Sequence, residues 1–168
     1  MRRTLLFCLA IGLILSTGSV TAAAEGHFNT NVTGDVEATV EGGGELRCIG
    51  MGDSGPGYLA LRNGHRTEKI SFQLPIGVQP GAHEITSWTK LAAARQVGEG
   101  FSIEVSMPLK RFHKSINATG KLELTAVGTK PGERMAGSFD VTTDSMGTEI
   151  HLQGTFDLLV PESAREDC

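Results

Sequence analysis

The chain is poor in aromatic residues and in cysteine. Its 168 residues include one Trp, one Tyr and three Cys, and aromatics make up 5% of the whole. An outer-membrane barrel carries girdles of aromatic side chains at both bilayer interfaces, and one Trp with one Tyr cannot furnish two. A glycosidase working with two carboxylates across a β-fold cleft would also have few rings on which to stack its sugar. Basic residues are outnumbered, 15 Lys and Arg against 19 Asp and Glu. General nucleic-acid binding, which rests on clustered phosphate contacts, is therefore excluded. No His-x-His, His-Glu-x-x-His or Cys-x-x-Cys pattern presets a metal geometry, and no Gly-rich stretch carries the phosphate-loop Lys-Ser/Thr ending.

The five histidines are His27, His65, His83, His113 and His151. Two of them, His83 and His151, fall on expected strands. Meeting across a sheet, with Cys48 or a Met, they would suit a soft metal such as copper. Scattered surface histidines are the plainer reading, so no metal or cofactor is assigned. Asn31-Val-Thr33 and Asn117-Ala-Thr119 are formal glycosylation sequons.

What is present begins with an address. Met1-Arg-Arg is followed by an apolar run from Thr4 to Leu15 and by Ala22-Ala23-Ala24. This is the form of a secretory signal peptide, residues 1–24, cleaved after Ala24. The apolar run is too short to span a bilayer, so no transmembrane span is expected in the mature chain. Cys8 lacks the preceding small residues of a lipid-attachment site. Removing Arg2 and Arg3 with the leader leaves 13 basic against 19 acidic residues, a formal charge of −6. The expected location is the periplasm or the outside of the cell. One domain, residues 25–160, and a polar tail, residues 161–168, make up the remainder.

The domain reads as strands. Thr30–Val40 is expected as one strand, with Val32, Val36, Ala38 and Val40 on one face and Gly42-Gly43-Gly44 breaking it. Glu45–Ile49 and Gly57–Arg62 follow, and Asn63-Gly64 signals a two-residue hairpin into Arg66–Leu74, with Ile70, Phe72 and Leu74 inward and Lys69, Ser71 and Gln73 outward. His83–Trp88 is a further strand. Leu91–Val97 is ambiguous, because Ala92-Ala93-Ala94 favours a helical turn that seven residues barely sustain without packing. Gly100–Met107 alternates cleanly, with Phe101, Ile103, Val105 and Met107 on one face.

The C-terminal third carries the strongest pattern. Lys121–Val127, Arg134–Thr143 and Thr148–Val160 all alternate with a period of two, the mark of a strand with one face buried. Lys130-Pro131-Gly132-Glu133 and Asp144-Ser145-Met146-Gly147 supply the turns. Gly137 and Gly154 each stand two residues before a Phe, in Gly-Ser-Phe139 and Gly-Thr-Phe156. In antiparallel partners each ring is expected to cover the opposing glycine. These segments resemble the closing strands of uncharacterised bacterial secreted and lipoprotein β-sandwich domains, which repeat a Gly-x-Phe pair across their last two strands. The resemblance implies a fold and an envelope location and brings no activity with it.

Two stretches invite chemistry. Gly52-Asp53-Ser54-Gly55-Pro56 resembles the nucleophile motif of chymotrypsin-like proteases, where backbone N–H groups beside the Ser form an oxyanion hole. One Gly of that motif is missing here, only His27 precedes Ser54, and the chain is too short for a two-barrel protease. Asp53 and Ser54 are therefore read as a polar turn. Cys48 and Cys168, the cysteines left after leader removal, are expected to pair in an oxidising compartment. That bond would stabilise by about 4–5 kcal/mol at most; free thiols or an intermolecular bond are the alternatives.

The fold expected is an all-β antiparallel sandwich, or a small closed barrel, of about eight or nine strands. The function expected is a non-catalytic binding or interaction module, its partner an unknown envelope protein or small ligand. The loops Gly50–Gly57 (with Asp53 and Ser54), Pro75–Gly81 and Pro108–Ala118 (with Lys110, Arg111, His113 and Lys114) are the expected contact surfaces. A carrier with an apolar or metal-holding cavity is the alternative, and a small serine hydrolase around Ser54 stands third.

Overall fold

A computed structural model describes residues 26–47, 57–63, 67–96, 98–109 and 112–161. Ten strands and one short helix are described: β1 (Gly26–Gly34), β2 (Ala38–Arg47), β3 (Gly57–Asn63), β4 (Lys69–Leu74), β5 (Gly81–Ile85), α1 (Trp88–Ala94), β6 (Ser102–Leu109), β7 (Phe112–Ser115), β8 (Thr119–Ala126), β9 (Arg134–Ser145) and β10 (Thr148–Leu159). The strands form one antiparallel sheet in the order β5-β8-β9-β10-β1-β2-β3-β4-β6-β7. That sheet curls into a half-barrel.

The C-terminal meander holds as read. Strand β9 pairs with β10 along its whole length, with Phe139 opposite Gly154 and Phe156 opposite Gly137. Both rings lie on the concave face. A Cβ added at Gly154 would stand 2.5 Å from Phe139 Cζ, and one at Gly137 3.0 Å from Phe156 Cζ. The missing side chains are what admit the rings.

The N-terminal half departs from its expected form. Thr30–Val40 is two strands, because the chain reverses at Gly34-Asp35, where Gly34 takes φ +109°. Val32 pairs with Ala38 across the reversal. The turn is anchored to β10: Asp35 N–H donates to the Glu149 carbonyl, and Glu149 N–H donates to Asp35 Oδ2 at 2.9 Å. The triple glycine does not break β2 but runs inside it. A Cβ at Gly42 would strike the Arg62 carbonyl of β3, and one at Gly44 would strike the Leu158 side chain. The β3–β4 connection is longer than two residues, since Arg62 pairs with Lys69. Asn63 organises it, its Oδ1 accepting from Thr67 N–H at 2.9 Å.

The concave face holds the core. Phe28, Leu59, Leu61, Phe72, Val105, Met107, Leu122, Phe139, Leu152 and Phe156 belong to one buried cluster. The Phe72 ring on β4 lies 5.2 Å from Phe139 and 6.3 Å from Phe156, so rings from opposite parts of the curled sheet meet across the interior. Contacts also join the distant ends of the sheet order. Ile85 forms an isolated parallel bridge with Phe101, Thr86 N–H donates to the Phe101 carbonyl at 2.9 Å, and Ser145 Oγ donates to the Lys114 carbonyl at 2.9 Å.

Strand β5 ends at Ile85, so Trp88 opens a helix rather than closing a strand. Ser87 caps that helix by accepting from Lys90 N–H at 3.4 Å, and Arg95 ends it in the left-handed region at φ 60°. Leu91 is its buried residue and packs on Gly100, which is the tertiary support a seven-residue helix requires. No described helix is long and apolar enough to cross a membrane.

Candidate functional site

Strand β4 is buried on both faces. Ile70, Phe72 and Leu74 belong to the core, while Ser71 and Gln73, expected to point into solvent, are buried too. They form the floor of a groove on the convex face of β3, β4 and β6. The register sets its rows: Tyr58 stands opposite Gln73 and Gln73 opposite Ser102, with Ala60, Ser71 and Glu104 forming the next row. The groove encloses about 410 Å³ and is bounded by Tyr58, Lys69, Trp88 and Lys114. That volume lies within the range of small-ligand sites.

The chain's one Tyr and one Trp therefore line the same groove. Both remain open to solvent, Tyr58 at 43% and Trp88 at 40% of full exposure. Tyr58 is placed by β3. Trp88 is placed by the first turn of α1, which is tied to the segment after β7. Trp88 N–H donates to the Ile116 carbonyl at 3.0 Å, and Thr89 Oγ1 donates to Asn117 Oδ1 at 2.8 Å. These bonds fix the turn of backbone that carries the indole.

The groove has a charged wall and an unsatisfied floor. Glu104 accepts from Lys114 Nζ at 2.9 Å and lies 3.7 Å from Lys69 Nζ. Gln73 is 6% exposed, and among the described residues nothing accepts a hydrogen bond from its Nε2. A buried amide without a partner costs roughly 1–3 kcal/mol. An acceptor entering the groove would recover that loss.

A second, more open depression lies on the same convex side over β8, β9, β10 and β1, lined by Lys121, Glu123, Ser138, Asp140, Gln153 and Asn29 among others. Two of its polar groups, Asp140 and Gln153, are matched to each other and to His151. Asp140 pairs with His151 Nε2 at 2.7 Å and accepts from Gln153 Nε2 at 2.7 Å. These bonds, the one to His151 first, hold the Asp140 carboxyl below its ordinary pKa. Nearby, Arg134 donates from Nε to Asp157 at 2.7 Å and pairs with it again through Nη2, which lowers the Asp157 pKa.

Cys48, Asp53, Ser54, Lys110, Arg111 and Cys168 lie outside the described residues. His113 and Lys114 sit not in a loop but on the short strand β7, both exposed. Lys114 is thereby drawn into the groove wall. His83 and His151 do not meet: His83 stacks on Phe101 at 4.2 Å toward the interior, whereas His151 bonds Asp140 on the convex side. Among the described residues no group of three or more His, Cys, Asp or Glu could hold a metal ion. In the Pro75–Gly81 loop, Gln79 shares a 2.9 Å hydrogen bond with His83 Nε2 through its carbonyl.

No family model, curated protein or solved structure matches this chain. The groove is thus characterised by its own residues alone. Sequence reading passes over it because Tyr58 and Trp88 are thirty positions apart and occupy different kinds of element. The one available signal was their status as the sole Tyr and Trp beside strands with polar outer faces.

Proposed function

We propose that the protein is a non-catalytic, secreted or periplasmic binding module whose recognition surface is the groove between Tyr58 and Trp88. One observation carries the reading: two half-exposed rings line a groove whose buried floor amide, Gln73 Nε2, has no acceptor among the described residues. Exposed aromatics beside a few convergent polar groups are the composition of a binding site. Glu104 is the sole carboxylate among the described residues lining the groove.

The rigid support in this reading is a small closed barrel rather than a two-sheet sandwich. The Ile85–Phe101 bridge and the Ser145–Lys114 bond, which join distant parts of the sheet order, favour it. The phenylalanine rings meeting across the interior favour recognition on the outside over carriage within. The N-terminal Arg pair, apolar run and Ala22-Ala23-Ala24 support export.

The test is a nuclear magnetic resonance screen of the mature chain against small polar and apolar fragments. Hits are expected to move the Trp88 indole N–H and the Gln73 side-chain amide, and to disappear in Trp88→Ala and Tyr58→Ala. Hits that cluster elsewhere on the surface would contradict the proposal.

A further inference from the structure

We infer that the ligand of this groove is a saccharide, held with a pyranose ring against the Tyr58 and Trp88 side chains. The inference rests on the groove being the recognition surface and adds the chemical class of what it takes. Three features select that class. First, an aromatic face carries negative charge density, and the axial C–H groups on one side of a pyranose present the complementary positive edge. Tyr58 and Trp88 bring two half-exposed rings to different places along one groove, with β4 and β6 between β3 and the Ile116 segment that anchors Trp88.

Second, the floor is polar but not ionic. Ser71, Gln73 and Ser102 are buried there. A hydroxyl both donates and accepts, so sugar hydroxyls would take the free Gln73 N–H and also serve the Ser hydroxyls. An apolar ligand would leave Gln73 Nε2 unpaired and retain its penalty.

Third, Glu104 engages both Lys69 and Lys114, which leaves the wall one net positive charge and spare ammonium donors; sugar hydroxyls can bridge these groups, and an acidic sugar would also meet the surplus charge. Carboxylates and ammonium groups are both strong partners for hydroxyls in this setting. A groove of about 410 Å³ has room for sugar rings rather than only a single small ion. Ile103 and Ile116 also line the groove, yet its buried polar groups, the Ser71 and Ser102 hydroxyls and the Gln73 amide, call for a ligand that hydrogen-bonds.

The experiment titrates the mature chain with cellohexaose, maltohexaose, triacetylchitotriose and an oligogalacturonate, following the fluorescence of Trp88, the chain's single tryptophan. Saturable change with at least one of these is expected, and the uronate arm separates a neutral sugar from an acidic one. Trp88→Phe, which keeps a ring, is expected to bind within a few fold by calorimetry, while Trp88→Ala weakens binding at least about tenfold. Gln73→Leu is expected to weaken it about tenfold or more without loss of the fold, because it removes the hydrogen bond but keeps the volume. If no saccharide binds while fragments of another class move the Trp88 indole, the ligand class is overturned and the groove stands as the site. If neither saccharides nor fragments reach the groove, both are overturned. Saccharide binding unaffected by Trp88→Ala and Gln73→Leu would overturn the assignment to this groove.

Discussion

Phe139 of β9 lies directly over Gly154 of β10, its register partner, and Phe156 repeats the arrangement over Gly137. A Cβ at Gly154 would also meet the Asn29 carbonyl at 2.7 Å and Thr30 Oγ1 at 2.8 Å. The ring can shift, but the Asn29 backbone of the neighbouring strand cannot. Gly154→Ala is therefore expected to destabilise by about 1–3 kcal/mol. Adding Phe139→Leu should relieve only part of that cost. Urea unfolding of the single and double variants checks both statements; full relief in the double variant would show that the Asn29 contact does not constrain the site.

Thr30 is fully buried on the core side of β1, and among the described residues its hydroxyl finds no partner. Removing a buried, unpaired hydroxyl while keeping the shape is neutral or favourable. Thr30→Val is expected to leave stability unchanged or to raise it by up to about 1 kcal/mol. A loss of stability on thermal unfolding would mean that the hydroxyl has a partner in solution.

The acid limb of stability should depend on Asp140 and Asp157. Hydrogen bonds from His151 and Gln153, and from Arg134, lower their folded-state pKa values from the ordinary 3.8. A lowered carboxyl contributes stability in full above its unfolded value, and this is lost as pH falls through the folded one. Both groups are largely solvated, so each effect is small, at most about 1 kcal/mol. Denaturant midpoints of Asp140→Asn and Asp157→Asn should fall below wild type near about pH 6 and converge with it near about pH 2. A gap that persists in acid would point to packing rather than charge.

The position of Trp88 should depend on the Thr89–Asn117 bond, which fastens α1 beside the groove. Asn117→Ala is expected to broaden or shift the Trp88 indole resonance while costing no more than about 1.5 kcal/mol of global stability. An unchanged resonance would show that the Trp88–Ile116 backbone bond suffices alone.

Legibility in the sequence followed the information each element carries. The meander was readable because alternation over long runs and Pro-Gly or Asp-x-x-Gly turns agree, and the Phe–Gly facing followed from it. Thr30–Val40 was misread because its valines keep the same period through the reversal, and periodicity is blind to direction when Gly34 makes the turn. Gly42 and Gly44 looked like a break because their purpose, close passage by Arg62 and Leu158, belongs to distant strands. Strand β7 has only four residues, Phe112-His113-Lys114-Ser115, with no alternation to detect. The groove was hidden for a different reason: the outward alternation of Ser71 and Gln73 was right, but burial on that face depends on neighbours brought in from β3, β6 and α1.

The most direct test of the recognition surface is the Gln73 side-chain amide, followed in nitrogen–proton spectra as an oligosaccharide that binds is titrated in. This resonance and the Trp88 indole are expected to move together and saturate at one concentration, as the unpaired Nε2 gains an acceptor. Both resonances standing still, while the perturbed residues gather around Asp140 and Gln153, would contradict it.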